Sequence, residues 1–210
     1  MEQKTLLYIV RHGQTEWNVE ERFQGHHDSP LTELGRNQAI RLGETLVNDP
    51  IDIIFSSSSK RTRHTAELIR RNRDIGIVES DNLKEIHLGI WEGRRKQEIE
   101  RDDPSNMDRF FRDPERFSVE GAESFRQVRE RALSQLHIIM QEHAGNSVLI
   151  VTHTVVVKLL LAYFENRPME RLWQEPYIHP ACLSKVVIGK DGHEIVLQGD
   201  TSHYRDCHER

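Results

Sequence analysis

The chain has 210 residues, 36% of them hydrophobic and 30% charged, with a formal net charge of −5. That length holds one substantial domain with a decorating insertion, and two full domains would be cramped. The acidic balance argues against a nucleic-acid or anionic-membrane partner held by bulk charge, and no apolar run approaches the roughly 20 residues that cross a bilayer.

The first predicted element is a short interior strand at residues 6–10, which ends abruptly on Arg11, His12 and Gly13. An apolar run of this length, rich in branched and aromatic residues, suits a parallel sheet buried on both faces. A helix opens at Thr32 and runs to Val47, and strand 51–56 leads into a helix from Ser59 to Arg71. Strand 75–79 follows. Residues 86–120 then break the alternation: they are charged, carry Pro104 and Pro114, and include Met107, Phe110, Phe111 and Phe117. They read as a small helical cap over a crevice.

After Gly121 comes a long amphipathic helix to about His143, then strand 148–152, a helix after His153 and a short helix at residues 169–173. Strands 184–188 and 194–197 flank Gly189-Lys190-Asp191-Gly192, whose Asp-Gly pair signals a hairpin. The alternation predicts an α/β fold: three layers, with a mostly parallel sheet flanked by helices on both faces. Residues 1–210 are expected to form a single domain with the cap as its insertion. The short apolar start precedes charges instead of following them, so no cleavable signal is expected. With only Cys182 and Cys207, a disulfide framework is not expected, and a reduced cytoplasmic home is the natural reading.

In open α/β sheets, ligands sit in the crevice beyond the carboxyl ends of the strands. Arg11 and His12 fall there, on a turn that Gly13 is expected to let bend tightly. Arg11-His12-Gly13 with Asn18 is followed by Arg61 in Ser59-Lys60-Arg61-Thr62-Arg63-His64-Thr65-Ala66, by Glu85, and by His153 in Val151-Thr152-His153. Taken in this order, these pieces closely resemble the histidine phosphatase superfamily, which includes the cofactor-dependent phosphoglycerate mutases and many small phosphatases. The segments Leu83-Lys84-Glu85-Ile86-His87-Leu88-Gly89-Ile90-Trp91-Glu92-Gly93 and Leu172-Trp173-Gln174-Glu175-Pro176-Tyr177 are most similar to the PhoE-type broad-specificity phosphatases.

The resemblance makes Arg11 and Arg61 clamps on a dianionic phosphate ester, which arginine suits because its fork matches phosphate oxygens and keeps its charge. His12 becomes the nucleophile. It needs an unprotonated nitrogen, which neighbouring cations should favour, and a backbone carbonyl to hold the other ring nitrogen. Without the motif, Arg61 would be a solvated arginine beside Lys60 and Arg63, and Glu85 a surface charge. With it, Glu85 protonates the departing alkoxide and then activates water, which implies a raised pKa and better activity below neutrality.

His153 is implied to donate a hydrogen bond to the phosphoryl group, with the helix N-terminus behind it offering free N–H groups. Asn18, Gln24 and Gly25 resemble the loop that lies over the phosphate. Thr154 stands where the family usually has glycine; it would narrow the space, supply a donor, or cap the helix. His26-His27-Asp28, and His203 with Cys207 and His208, hint at metal sites. Adjacent histidines in extended chain diverge, however, and the tail reads as a mobile end. No metal and no cofactor are expected.

The expected activity is metal-independent hydrolysis of small phosphomonoesters through a phosphohistidine, with broad specificity and an acidic to neutral optimum. The alternatives are a phosphoglycerate mutase, a dedicated enzyme such as an α-ribazole phosphatase, or a non-catalytic binder of phosphorylated ligands. A short cap region with Trp91, Phe110, Phe111 and Glu115 suits apolar esters better than small, highly charged sugar acids.

Overall fold

The computed structural model describes residues 4–207. Its elements are β1 (Thr5–Arg11), α1 (Glu16–Val19), α2 (Glu33–Thr45), β2 (Ile53–Ser57), α3 (Lys60–Arg70), β3 (Gly76–Ser80), α4 (Lys96–Asp102), α5 (Pro104–Arg112), α6 (Phe125–Glu142), β4 (Ser147–Thr152), α7 (Thr154–Glu165), β5 (Leu183–Gly189) and β6 (Gly192–Asp200). The strands form one six-stranded sheet in the order β3-β2-β4-β1-β5-β6. β1 to β4 pair in parallel, while β5 joins β1 antiparallel and β6 closes that edge as its hairpin partner.

Alternation along each strand sets the layers, because successive side chains leave opposite faces of a sheet. Leu7 and Ile9 of β1, with Val148 and Ile150 of β4, enter a core shared with Phe125 and Leu136 of α6 and Val156 and Leu160 of α7. Tyr8 and Val10, with Leu149 and Val151, enter a second core under Ala39 and Leu42 of α2 and Ala66 and Ile69 of α3. The expected α/β architecture is therefore present, with helices on both faces. Among the described residues, no helix is long and apolar enough to cross a membrane.

Differences from the sequence reading are local. The expected helix at residues 169–173 is a 3-10 turn, Met169–Arg171, and α2 gives way to the 3-10 turn Leu46–Asn48 before Val47 is passed. The hairpin turns on Lys190 and Asp191 instead of on the Asp-Gly pair, since Gly192 already pairs with Gly189. Gly192 takes φ +139°, which a side chain would rarely allow. At the C-terminal end, Ser202–Cys207 forms a 3-10 turn, His203 is buried, and the Tyr204 hydroxyl donates to Pro180 O. The side chain of Cys207 and all of His208 lie outside the described residues.

Residues 86–120 hold α4, α5 and the 3-10 turns Gly89–Trp91 and Pro114–Arg116. Asp103 caps α5 by accepting from Asn106 N, and Pro104 fills its first turn, where no donor is needed. Trp91, Met107, Phe110 and Phe117 insert into the first core, with the Phe110 and Phe125 rings 5.1 Å apart. This segment shares its apolar contacts with α6.

Gly13 matters for space and not for a special backbone angle, which corrects the expectation of a tight bend. It is absent from the positive-φ glycines, and a Cβ there would run into the carbonyl oxygen of Gly35 in α2. Overpacking of that kind costs about 1–3 kcal/mol. Gly13→Ala is expected to lower the melting temperature by roughly 2–10 °C, read by thermal denaturation. An unchanged Tm would show that β1 and α2 can part without penalty.

Candidate active site

Parallel strands deliver their carboxyl ends to one edge of the sheet, so the residues that follow them share a crevice. Arg11 ends β1 and His12 follows it, its N–H donating to Thr152 O at 2.9 Å. Arg61 opens α3 after β2, Glu85 follows the 3-10 turn Asp81–Leu83 after β3, and His153 joins β4 to α7. A cavity of about 520 Å³ opens at this edge, lined by Arg11, His12, Asn18, Gln24, Gly25, Arg61, Glu85 and Thr154, among others. Of the site residues expected from sequence, His153 alone does not line it.

His12 is 3% exposed, and its Nδ1 lies 2.8 Å from Gly13 O. A carbonyl only accepts, so Nδ1 carries the proton and Nε2 is left with its lone pair. Gly13 O is the holding acceptor that sequence could not identify. Burial first, then the charges of Arg61 and Arg11, holds the imidazole well below its ordinary value, against the hydrogen bond to Gly13 O.

Arg61 is 2% exposed and strongly engaged. It donates through Nη1 to His27 O and Asp28 Oδ1, each at 2.7 Å, and through Nη2 to Gly25 O at 2.8 Å and His153 Nδ1 at 3.0 Å. Arg11 donates through Nη1 to Ile178 O at 2.7 Å. The Nε–H groups of both arginines are buried without a partner. A buried donor left unmatched is costly, about 1–3 kcal/mol and more when charged. Both guanidinium groups line the cavity with His12, and their positive charge favours an anion there.

Arginine only donates, so His153 Nδ1 is the acceptor in that pair. Its Nε2 then carries the proton and donates to Ser57 Oγ at 2.8 Å. Both ring nitrogens are thus engaged, and the ring stands behind the cavity with its centroid 5.3 Å from that of His12. The expected direct donation to a phosphoryl group is not the arrangement found. His153 instead steadies Arg61. Burial and then Arg61 hold its pKa well below the ordinary value.

Glu85 accepts from Ile86 N at 3.0 Å through Oε1 and from Val155 N at 3.3 Å through Oε2. An N–H at the start of α7, expected to face a phosphate, therefore serves Glu85. Burial raises its pKa, and these two N–H groups with Arg61 and Arg11 oppose the rise.

The loop residues are partly committed to each other. Asn18 accepts from Thr15 N through Oδ1 at 3.0 Å in the capping box of α1, so its amide N–H groups are the part left for the cavity. Gln24 donates to Thr15 Oγ1 at 2.8 Å and accepts from Ser29 Oγ at 3.3 Å, so it braces the loop more than it offers donors. Gly25 has φ +53°, and a Cβ there would collide with the Glu92 carboxylate. Thr154 lines the cavity as the first residue of α7, but the N-cap is His153, which excludes the capping role considered for Thr154. Among the described residues, no group of three or more His, Cys, Asp or Glu side chains is placed to hold a metal ion. His26 meets Glu85 O at 3.0 Å while His27 lies edge-on to Trp17, so the adjacent pair diverges as expected.

Sequence reasoning missed Lys158 and, in the aromatic wall it expected from Phe110 and Phe111, the part played by Trp17, Phe23, Trp173 and Tyr177. Lys158 lines the cavity from α7, donates to Gln174 O and to Pro176 O (2.7 Å), and is pulled down to about 8 by burial. A lone lysine in the otherwise apolar Thr154–Glu165 was the available signal. Trp17, Phe23, Phe110, Phe111, Trp173 and Tyr177 face the catalytic edge. Trp91 is fully buried beneath them and Glu115 is exposed, so neither forms the wall expected of it.

The model of the histidine phosphatase superfamily (branch 1) matches residues 7–201, and the chain belongs to that superfamily. Phosphoserine phosphatase 1 of Hydrogenobacter thermophilus is 30% identical over 167 residues, covering 80% of this chain and 79% of that protein. The probable phosphoglycerate mutase GpmB of Salmonella choleraesuis is 31% identical over 162 residues, covering 77% and 75%. The structure of Bacillus stearothermophilus YhfR superposes with a TM-score of 0.92 at 42% identity, covering 95% of this chain and 98% of that one.

The depressed imidazoles fix the sign of one pH effect. Unfolded His12 and His153 regain the ordinary value of 6.5, so below it the unfolded chain binds protons that the folded chain refuses. Stability is therefore full above pH 6.5 and is lost as pH falls from there toward the folded values. The melting temperature should drop between pH 7.5 and 5.5, and His12→Asn should flatten that drop. An equal drop in wild type and His12→Asn would mean that His12 is not held neutral.

Proposed function

We propose that the protein is a phosphomonoester hydrolase that works without a metal, through a phosphohistidine on His12. The observation that carries this reading is the placement of His12, with its lone pair on Nε2, in one cavity lining with the guanidinium groups of Arg11 and Arg61 and the carboxyl of Glu85. A phosphoryl group in that cavity would meet both cations and present phosphorus to the nitrogen. The arginines supply the positive charge that a metal would otherwise bring, and they would stabilise the charge on the transferring oxygens.

In the first step, the His12 Nε2 lone pair attacks phosphorus and the bond to the leaving oxygen breaks. Glu85 gives that oxygen its proton. Oε2, with only a 3.3 Å contact to Val155 N, is the oxygen freer to carry it. In the second step water attacks the phosphohistidine, Glu85 takes the water proton, the P–N bond breaks and inorganic phosphate leaves. His153 would act through Arg61, and Asn18 through its amide donors. Glu85 must start protonated and His12 neutral, which points to an acidic to neutral optimum.

The aromatic wall facing the site supports esters with aryl or other apolar leaving groups. A phosphoglycerate mutase, the activity named for several relatives, would need cations free to hold a substrate carboxylate. The wall cations Arg22 and Lys96 are tied up instead, Arg22 on Glu20 (2.6 Å) and Gly93 O (2.7 Å), and Lys96 near Glu100 (3.6 Å). This supports hydrolysis over transfer.

p-Nitrophenyl phosphate should be hydrolysed with no loss in chelator. His12→Ala should abolish the activity, and Arg11→Met should lower kcat by about 10²–10³-fold. Chelator-sensitive turnover, or rapid interconversion of monophosphoglycerates without phosphate release, would replace this reading. Glu85→Gln should cost far more with an alkyl phosphate than with p-nitrophenyl phosphate, whose leaving group needs no proton. Equal losses would remove Glu85 from the proton-donor role.

A further inference from the structure

The chain from Asn82 to His87 leaves the 3-10 turn Asp81–Leu83 and runs on without regular structure, yet its backbone groups are claimed one after another by side chains from elsewhere in the fold. Arg131, in the middle of α6, donates to Asn82 O at 3.0 Å, to Lys84 O at 2.6 Å and to Glu85 O at 2.9 Å. Its Nε and Nη2 also donate to the two carboxylate oxygens of Glu123, each at 2.9 Å. A guanidinium has five N–H donors, and these five contacts use them all. Glu123 in turn accepts from His87 N at 2.8 Å and donates its own N–H to His87 O at 2.9 Å. Thr152 at the end of β4 donates to Leu83 O at 2.6 Å.

We infer that Arg131 and Glu123 are positioning residues that hold Glu85 against the reacting centre; this rests on Glu85 being the proton donor proposed above. Arg131 does not touch the cavity, and its charge is already matched by Glu123 in a bidentate pair. Its role is therefore geometric. A carboxyl group that must reach a leaving oxygen and later a water works only if its loop cannot drift. Reacting groups displaced by about 1 Å can lose on the order of 10²-fold in rate. Regular structure would fix the backbone through its own hydrogen bonds. Here the chain from Lys84 to His87 has no helix or strand ladder, and one arginine replaces it. Lysine cannot substitute, because its single ammonium cannot span three carbonyls and a carboxylate at once.

The test is a double-mutant cycle on leaving-group dependence, using the full chain. Arg131→Lys and Glu85→Gln are made singly and together, and kcat is measured for p-nitrophenyl phosphate and for an alkyl phosphate. Arg131→Lys should lower kcat for the alkyl ester at least tenfold more than for the aryl ester, with KM little changed. In the Glu85→Gln background the same substitution should add no further bias, because the group it positions is gone. If Arg131→Lys slows both esters equally, or biases them equally in both backgrounds, the residue is merely structural and the inference falls. If Glu85→Gln itself shows no bias, the proton-donor reading fails first, a distinct result. Should Arg131→Lys not fold, Glu123→Gln carries the same cycle: it leaves the arginine but removes the carboxylate that aims it. A matching aryl–alkyl bias supports the inference, and none overturns it.

Discussion

Two guanidinium groups enter the interior of this protein together, and much of the site follows from how they are accommodated. Arg61 is held by three oxygens and an imidazole, with Asp28 as its one carboxylate partner, and Arg11 by the carbonyl of Ile178. Carbonyl dipoles can orient a cation but do not cancel its charge. The cavity they line, with Arg22, Lys96 and Lys158 against Glu21 and Glu85, keeps an excess of positive charge. A site with that balance favours an anion that fits. Burial first, and then the charges of Arg61 and Arg11, suppress protonation of His12, so the cations that favour an anion also help keep the neighbouring imidazole neutral.

The parts legible in the sequence were those carried by local pattern. β1 and β4 were readable because apolar runs buried on both faces leave a continuous signature, and Arg11, His12 and His153 were readable because each marks the end of such a run. Glu85 and Arg61 needed the order of motifs. What escaped depends on contacts between segments far apart in the chain. Arg131 meets Asn82 and Lys84 across more than forty residues, as does Arg61 with His153 across ninety-two. Nothing in the α6 pattern separates Arg131 from Arg126 or Arg129, whose side chains are equally charged. The partners of His153 escaped for a similar reason: a histidine after a strand marks the crevice, but its two nitrogens meet Arg61 and Ser57, which no local spacing reveals.

The wall opposite His12 is not a separate recognition module. Phe110 touches Phe23, Phe111, Phe125 and Trp173 with ring centroids between 5.0 and 5.7 Å, so core and cavity meet in one ring cluster. Trp173 Nε1–H also donates to Phe110 O at 2.6 Å, tying the segment after α7 to α5. Substrate preference and the stability of residues 86–120 are thus coupled: a change that reshapes the wall also reshapes packing against α6. Broadening or narrowing the substrate range by exchange of Phe110 would carry a folding cost, whereas Phe111 and Tyr177 are exposed enough to vary with less.

As the proposed acid–base group, Glu85 shows how the two requirements of that chemistry are reconciled in one side chain. Proton donation calls for a raised pKa, and burial provides it. Activation of water calls for a carboxylate that can form again, and the N–H groups of Ile86 and Val155 with Arg61 and Arg11 stabilise that form. Val155 N belongs to the first turn of α7, where unpaired donors and the helix dipole favour negative charge. On the mechanism proposed above, the helix N-terminus acts on the acid–base group, while the arginines act on the phosphoryl group. That division explains why the irregular chain around Glu85 is secured so heavily. Moving the carboxyl away from the start of α7 would strip its anionic form of a donor and shift its pKa further upward, slowing the water step even where the first step survived.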